Sequence, residues 1–150
     1  MRTIRIRVFS PKLLLGLATA LAVTLTSQAD EKKVRAKVDT SKLPPVAAKQ
    51  GVTYAGDIKA ILDKSCTKCH GAEKQKGKLR LDSLADVLKG GEDGKVLEPG
   101  KSADSILVQN IARLGDEDDW MPPQDNKAKI PPLTAAQVGL IRAWIDQGAK

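Results

Sequence analysis

The most constraining feature of this chain is a C-x-x-C-H motif, which residues 66–70 form with the sequence Cys-Thr-Lys-Cys-His. The chain of 150 residues has no cysteine besides Cys66 and Cys69 and no histidine besides His70. This spacing lets two thiols reach the two vinyl groups on one edge of a porphyrin, and the histidine that follows turns beneath the ring toward the iron. The motif therefore predicts one haem, covalently bound through Cys66 and Cys69, with His70 as an iron ligand.

Three other functions of the motif fit the rest of the sequence less well. A tetrahedral zinc site needs about four cysteine or histidine ligands, whereas the whole chain has three such residues. A redox-active dithiol of the thioredoxin kind is expected within a βαβ pattern, which is absent here. A plain disulfide is compatible with an exported protein but leaves His70 without a role. We therefore favour haem binding.

Few side chains of this sequence can serve as the second axial ligand of the iron. The chain has no second histidine, and its only methionine besides Met1 is Met121. Pro122 and Pro123 follow Met121 directly, and their rings restrict the backbone that carries the thioether. We predict Met121 as the second axial ligand. The alternatives are a gap-filling core position for Met121, a lysine ligand or an open coordination position.

The first 29 residues have the pattern of a secretory signal peptide. Residues 1–12 carry four basic and no acidic side chains, residues 13–25 are apolar, and Ser27-Gln28-Ala29 places small residues at the cleavage positions. A membrane anchor is the alternative, but a spanning helix needs about 20 apolar residues, and this run has 13. We predict cleavage after Ala29 and a periplasmic location.

The remaining chain divides into two parts of different composition. Residues 30–52 have no apolar period and contain a pair of prolines, which predicts a flexible basic linker. Its basic run at 32–37 suggests weak contact with a membrane surface, although such runs are more often simply solvated. Residues 53–150 carry 15 Lys and Arg and 15 Asp and Glu. This predicted domain is neutral, so we expect no nucleic acid partner.

Apolar spacing and capping residues predict short helices within residues 53–150. The predicted ranges are 53–65, 83–89, 104–114 and 134–148. Nothing alternates with a period of two over a useful length, so the predicted fold class is all-α with long loops. So small a domain, with one tyrosine and two tryptophans in the chain, has little apolar surface of its own, and a haem would supply part of the core.

The residues around the motif allow further predictions about the pocket. Leu79, Leu81 and Trp120 are expected to line the haem. The second ring nitrogen of a ligating histidine usually donates to a carbonyl or carboxylate, and residues 79–81 are candidates to supply it.

The chain resembles the class I cytochrome c fold, and in particular the small domains called planctomycete-type cytochrome c. The resemblance covers residues 54–149 and rests on an ordered set of motifs. They are Ile58-x-x-Ile61-Leu62, Cys66 to Gly71, Leu79 to Asp82, Pro99-Gly100, Ser105 to Leu107, Met121-Pro122-Pro123, Leu133-Thr134 and Trp144-Ile145-x-x-Gly148-Ala149. The resemblance implies an all-α cytochrome c fold, with four to five short helices and long loops around one covalently bound haem c, and Met121 as the sixth ligand.

For function, these observations predict a mono-haem cytochrome that transfers single electrons outside the cytoplasm and is not itself an enzyme. One alternative is a haem-c subunit or domain that serves a periplasmic dehydrogenase. Another is a gas-binding haem sensor with a displaceable sixth ligand. We expect redox partner proteins and a monomeric chain.

Overall fold

In a computed structural model of the chain, residues 38–150 are described. This part contains four α-helices and no β-strand. The helices are α1 (Lys59–Ser65), α2 (Leu84–Lys89), α3 (Ile106–Ile111) and α4 (Ala135–Asp146). A π-helical turn, Tyr54–Ile58, leads directly into α1, and long loops join the helices. The predicted all-α class is therefore confirmed.

Two helices, α2 and α4, begin directly after a capping residue that opens the corresponding predicted range. The Ser83 hydroxyl accepts the Asp86 N–H at 3.1 Å and begins α2, and Thr134 and Gln137 form both bonds of a capping box at the start of α4. The third helix is shorter than predicted. It ends at Ile111, and two residues later Arg113 has a φ of +56°, which takes the chain out of the helical conformation.

The core lies where α4 packs against α3 and against the π-helical turn before α1. Its fully buried members are Ile58, Leu62, Val108, Ile141, Trp144 and Ile145. The ends of the domain meet here, because the Tyr54 N–H and the Trp144 indole N–H both donate to the Lys150 carbonyl at 2.9 Å. The Tyr54 and Trp144 rings lie 6.0 Å apart. This core supports one side of the loop that follows α1.

Residues 38–52, the described part of the predicted linker at 30–52, pack against α4. We call this segment the strap. Its Leu43 and Val52 are buried, and the Ala47 N–H donates to the Gly139 carbonyl at 3.0 Å. The Gln147 side chain donates to the Lys49 carbonyl at 2.8 Å. Most of these contacts use main-chain groups of the strap. Because main-chain groups are the same in every residue type, such contacts produce no hydrophobic periodicity in the sequence.

The predicted signal peptide, 1–29, and the basic run at 32–37 lie outside the described residues. Among residues 38–150, none of the helices has the length and apolar character needed to span a membrane.

Candidate functional site

An open cavity lies between the loop after α1, the side of α3 and the loop before α4. It encloses about 690 Å³ of empty space, with the open solvent at its mouth included. Its apolar lining residues are Leu79, Leu81, Val96, Ile106, Leu107, Ile111, Pro122, Pro123 and Ile130. Its other lining residues are Ser65, Cys66, Cys69, His70, Asn110, Met121 and Asn126. The fold thus brings both cysteines, the histidine and Met121 to one apolar cavity.

The C-x-x-C-H motif continues the last turn of α1 into the cavity. The Cys66 N–H donates to the Leu62 carbonyl at 2.7 Å, and the Cys66 carbonyl then accepts the N–H groups of Cys69 and His70 at 3.0 and 2.9 Å. A side chain at Gly71 would meet the Thr67 carbonyl, so the glycine lets the chain close tightly after the histidine. The motif is therefore held as one compact turn, with its two thiols and its imidazole on the same wall.

The two thiols differ in their surroundings. Cys66 is buried and Cys69 is half-buried. Burial raises the pKa of the Cys66 thiol to about 12, and the charge on Cys69 acts in the same direction. A dithiol of the thioredoxin kind works through a thiolate whose pKa is lowered. The environment of Cys66 therefore does not favour that chemistry.

The His70 ring is oriented by a main-chain carbonyl. Its Nδ1 lies 3.1 Å from the Lys76 carbonyl oxygen, and because a carbonyl only accepts, Nδ1 carries the proton and Nε2 keeps its lone pair. Burial lowers the pKa of His70, and the hydrogen bonds to the Lys76 and Leu79 carbonyls oppose that shift. The predicted acceptor was in residues 79–81, and the Leu79 carbonyl does contribute, but the contact at 3.1 Å is with Lys76. Leu81 also donates its N–H to the His70 carbonyl at 2.8 Å.

Met121 reaches the cavity from a different segment, the loop that follows α3. It is half-buried, its N–H donates to the Asn110 carbonyl at 3.1 Å, and the Met121–Pro122 peptide bond is cis. Asn126, which was not among the predicted site residues, holds the rest of this loop in place. Its side-chain amide donates to the Pro123 and Ile130 carbonyls at 2.7 and 3.0 Å, and its Oδ1 accepts the Ile130 N–H at 2.8 Å. An asparagine in a loop bounded by prolines was the available signal.

Two of the three residues expected in the pocket wall lie there. Leu79 and Leu81 line the cavity, and the Leu81 carbonyl accepts the buried Tyr54 hydroxyl at 3.0 Å. Trp120 is not among the lining residues. Its ring instead lies against Arg113, whose guanidinium carbon is 5.5 Å from the ring centroid. No sequence pattern singles out Arg113, because its contact with the loop depends on the backbone turn after α3.

The two segments that carry the motif and Met121 have opposite charge. Residues 64–78 contain five lysines and one glutamate, and all five lysines are exposed. Residues 116–125 contain five acidic residues and no lysine or arginine. The borders of the cavity are therefore basic beside His70 and acidic beside Met121.

An all-α fold with a C-x-x-C-H motif on the wall of an apolar cavity is characteristic of a c-type cytochrome domain, which is a haem-binding electron carrier. The family model described as Planctomycete cytochrome C matches residues 66–125, from the first cysteine of the motif to just beyond Met121. This match supports a planctomycete-type cytochrome c domain, and a domain of this type implies covalently bound haem c. No curated protein and no solved structure matches the chain.

Proposed function

We propose that this protein is a mono-haem cytochrome that transfers single electrons outside the cytoplasm, with Cys66 and Cys69 bonded to the haem and with His70 and Met121 as axial ligands. The observation that carries the proposal is that all four side chains line one apolar cavity. A thiol pair, an imidazole and a thioether are the donor set of a His/Met haem c. The residues therefore fit the group.

The cavity wall that carries Cys66, Cys69 and His70 would both attach the haem covalently and ligate its iron. The compact turn from Cys66 to His70 fixes the order of thiol, thiol and imidazole along one wall. With its proton held on Nδ1 by the Lys76 carbonyl, the His70 ring offers Nε2 as the ligating atom. Such a hydrogen bond fixes the tautomer and ring orientation and makes the imidazole a stronger donor.

The opposite segment of the cavity wall carries Met121, whose thioether is a soft, neutral ligand. A bound haem supplies a one-electron couple of its iron. Thioether sulfur stabilises the reduced state more than a second nitrogen ligand does, so Met121 would raise the reduction potential relative to a bis-nitrogen site. Asn110 holds the main chain of Met121 and Asn126 holds the loop beyond it. This support favours a ligand that stays bound in both oxidation states, as rapid electron transfer requires.

Single-electron transfer follows from this arrangement better than gas sensing does. A sensor needs an open or displaceable sixth position, whereas here a thioether is fastened into the cavity wall. The signal-peptide pattern of residues 1–29 supports transfer outside the cytoplasm, where haem is attached to such motifs. We propose that a separate redox protein delivers or accepts the electron.

The proposal is tested on the protein recovered from the periplasm, by absorption spectra of both oxidation states and by carbon monoxide binding to the reduced form. We expect a six-coordinate low-spin iron in both states and little carbon monoxide binding. The mass of the same sample should give a mature N-terminus at Asp30. Ready carbon monoxide binding by the unmutated protein would contradict the carrier proposal.

Two substitutions separate ligation by Met121 from its packing. Met121→Leu keeps nearly the volume of the side chain but has no sulfur, whereas Met121→Ala loses both the sulfur and the volume. If Met121 ligates the iron, both variants should bind carbon monoxide and have a lower reduction potential. If Met121 only fills space, Met121→Leu should behave as the unmutated protein does.

A further inference from the structure

The side chain of Arg113 contacts both neighbours of Met121. Its guanidinium carbon lies 5.5 Å from the centre of the Trp120 ring, on the N-terminal side of Met121. Its Nη2 donates to the Pro122 carbonyl at 3.4 Å, on the C-terminal side. Since Met121 stands between these two contacts, movement of its main chain away from the cavity would disturb at least one of them.

The main chain ties Arg113 to the same anchor as Met121. The Asn110 carbonyl, at the end of α3, accepts the N–H of Arg113 and the N–H of Met121, each at 3.1 Å. Arg113 has a φ of +56°, a conformation that residues other than glycine rarely adopt. This turn allows the side chain to fold back over the loop that it would otherwise leave.

The arrangement also leaves buried donors unused. Neither Arg113 Nε nor Trp120 Nε1 has a hydrogen-bond partner, although both atoms are buried. Hydrogen bonds from these two atoms to the protein therefore do not explain why the pair lies here.

We propose that Arg113 is a positioning residue for the distal ligand, one that keeps the Met121 thioether directed into the cavity through each change of oxidation state. The inference rests on the proposed ligation by Met121. The planar guanidinium of Arg113 lies over the Trp120 ring, while one of its N–H groups donates to the Pro122 carbonyl. Lysine, with a compact ammonium, reproduces the charge but not this double contact.

The test compares three substitutions at Arg113 in the haem-loaded protein. Arg113→Met removes the cation and the donor, Arg113→Gln keeps an N–H donor, and Arg113→Lys keeps the cation. Because a cation–π contact and a hydrogen bond are both lost, Arg113→Met should raise the carbon monoxide affinity of the reduced protein about tenfold. Arg113→Gln and Arg113→Lys should each raise it less. Hydrogen exchange at the Met121 amide should speed up in the same order.

Arg142 provides the matched control. It is also half-buried and hydrogen-bonded, to the Ser102 hydroxyl at 3.2 Å and to the Pro44 carbonyl, but it does not line the cavity. Arg142→Gln should lower the thermal stability and leave carbon monoxide affinity unchanged. If Arg142→Gln and Arg113→Met raise the carbon monoxide affinity equally, the cause is a general loss of stability, and the proposal is overturned.

Failure of this inference differs from failure of the proposed function. If Met121→Leu admits carbon monoxide and Arg113→Met does not, Met121 is the ligand and Arg113 does not position it. If the unmutated protein and Met121→Leu bind carbon monoxide equally, the ligand assignment itself fails, and the positioning role fails with it.

Discussion

Gly139 lies within α4 where the strap crosses it, and alanine at this position should destabilise the protein. A Cβ atom there would lie 2.5 Å from the Pro45 carbonyl oxygen, and the Gly139 carbonyl accepts the Ala47 N–H at 3.0 Å. Helix propensity alone favours alanine over glycine by about 1 kcal/mol. Helix propensity alone would therefore make Gly139→Ala stabilising, whereas the close approach of the strap should make it destabilising.

The size of the effect follows from three contributions. Overpacking a filled site costs about 1–3 kcal/mol, and displacing the strap weakens a hydrogen bond worth about 1 kcal/mol. The gain in helix propensity offsets about 1 kcal/mol of this. Gly139→Ala should therefore lower the free energy of unfolding by about 2 kcal/mol, with a fall in Tm of roughly 10 °C for a domain of this size.

Guanidinium denaturation of the haem-loaded protein, followed by circular dichroism, measures this difference if the slope of the transition is unchanged. The control is the same substitution in a chain that lacks residues 38–48. Without residues 38–48, which include the Pro45 and Ala47 contacts of Gly139, only the propensity remains, so alanine should there stabilise the protein by about 1 kcal/mol. A more stable Gly139→Ala protein in the full chain would refute the packing of the strap against α4.

The remaining predictions concern the attachment site and alkaline stability. Acidified organic solvent should not remove the haem from the unmutated protein, whereas the variant with both Cys66→Ala and Cys69→Ala should be recovered without colour; release of pigment from the unmutated protein would disprove covalent attachment. Burial raises the pKa of Tyr54 to about 12, so the folded state holds the phenol proton more tightly than the unfolded state does. The free energy of unfolding should thus be insensitive to this group below pH 10 and fall as pH rises from about 10 toward 12. Tyr54→Phe should lose the hydrogen bond to the Leu81 carbonyl and this pH dependence together, as denaturation at pH 8 and pH 11 would measure.

What the sequence could predict is what depends on neighbours along the chain. The C-x-x-C-H motif lies within five consecutive residues, and the capping box of α4 needs only Thr134 and Gln137, so both are visible as patterns. The roles of Lys76 and Arg113 are different. Lys76 acts through its carbonyl oxygen, which is the same in every residue type. Arg113 acts through a backbone turn that no single residue in the sequence signals.

The strap shows the same limit on a larger scale. Its composition is that of a flexible segment, and only Leu43 and Val52 are buried hydrophobic residues. The segment binds mainly through carbonyl and N–H groups that meet the side of α4. Hydrophobic periodicity cannot detect such packing, because the groups that make it are present in every peptide unit.

The opposite charges of the two segments that border the cavity affect how the molecule behaves in an electric field. Residues 53–150 have 15 basic and 15 acidic side chains, so this part has no monopole, and its charge separation at the cavity contributes a dipole. A dipole near a charged surface experiences a torque, which turns the cavity borders toward or away from that surface. The effect is confined to roughly the Debye length, about 8 Å at physiological ionic strength. Within residues 53–150, this charge pattern favours rotation at close approach over attraction at long range.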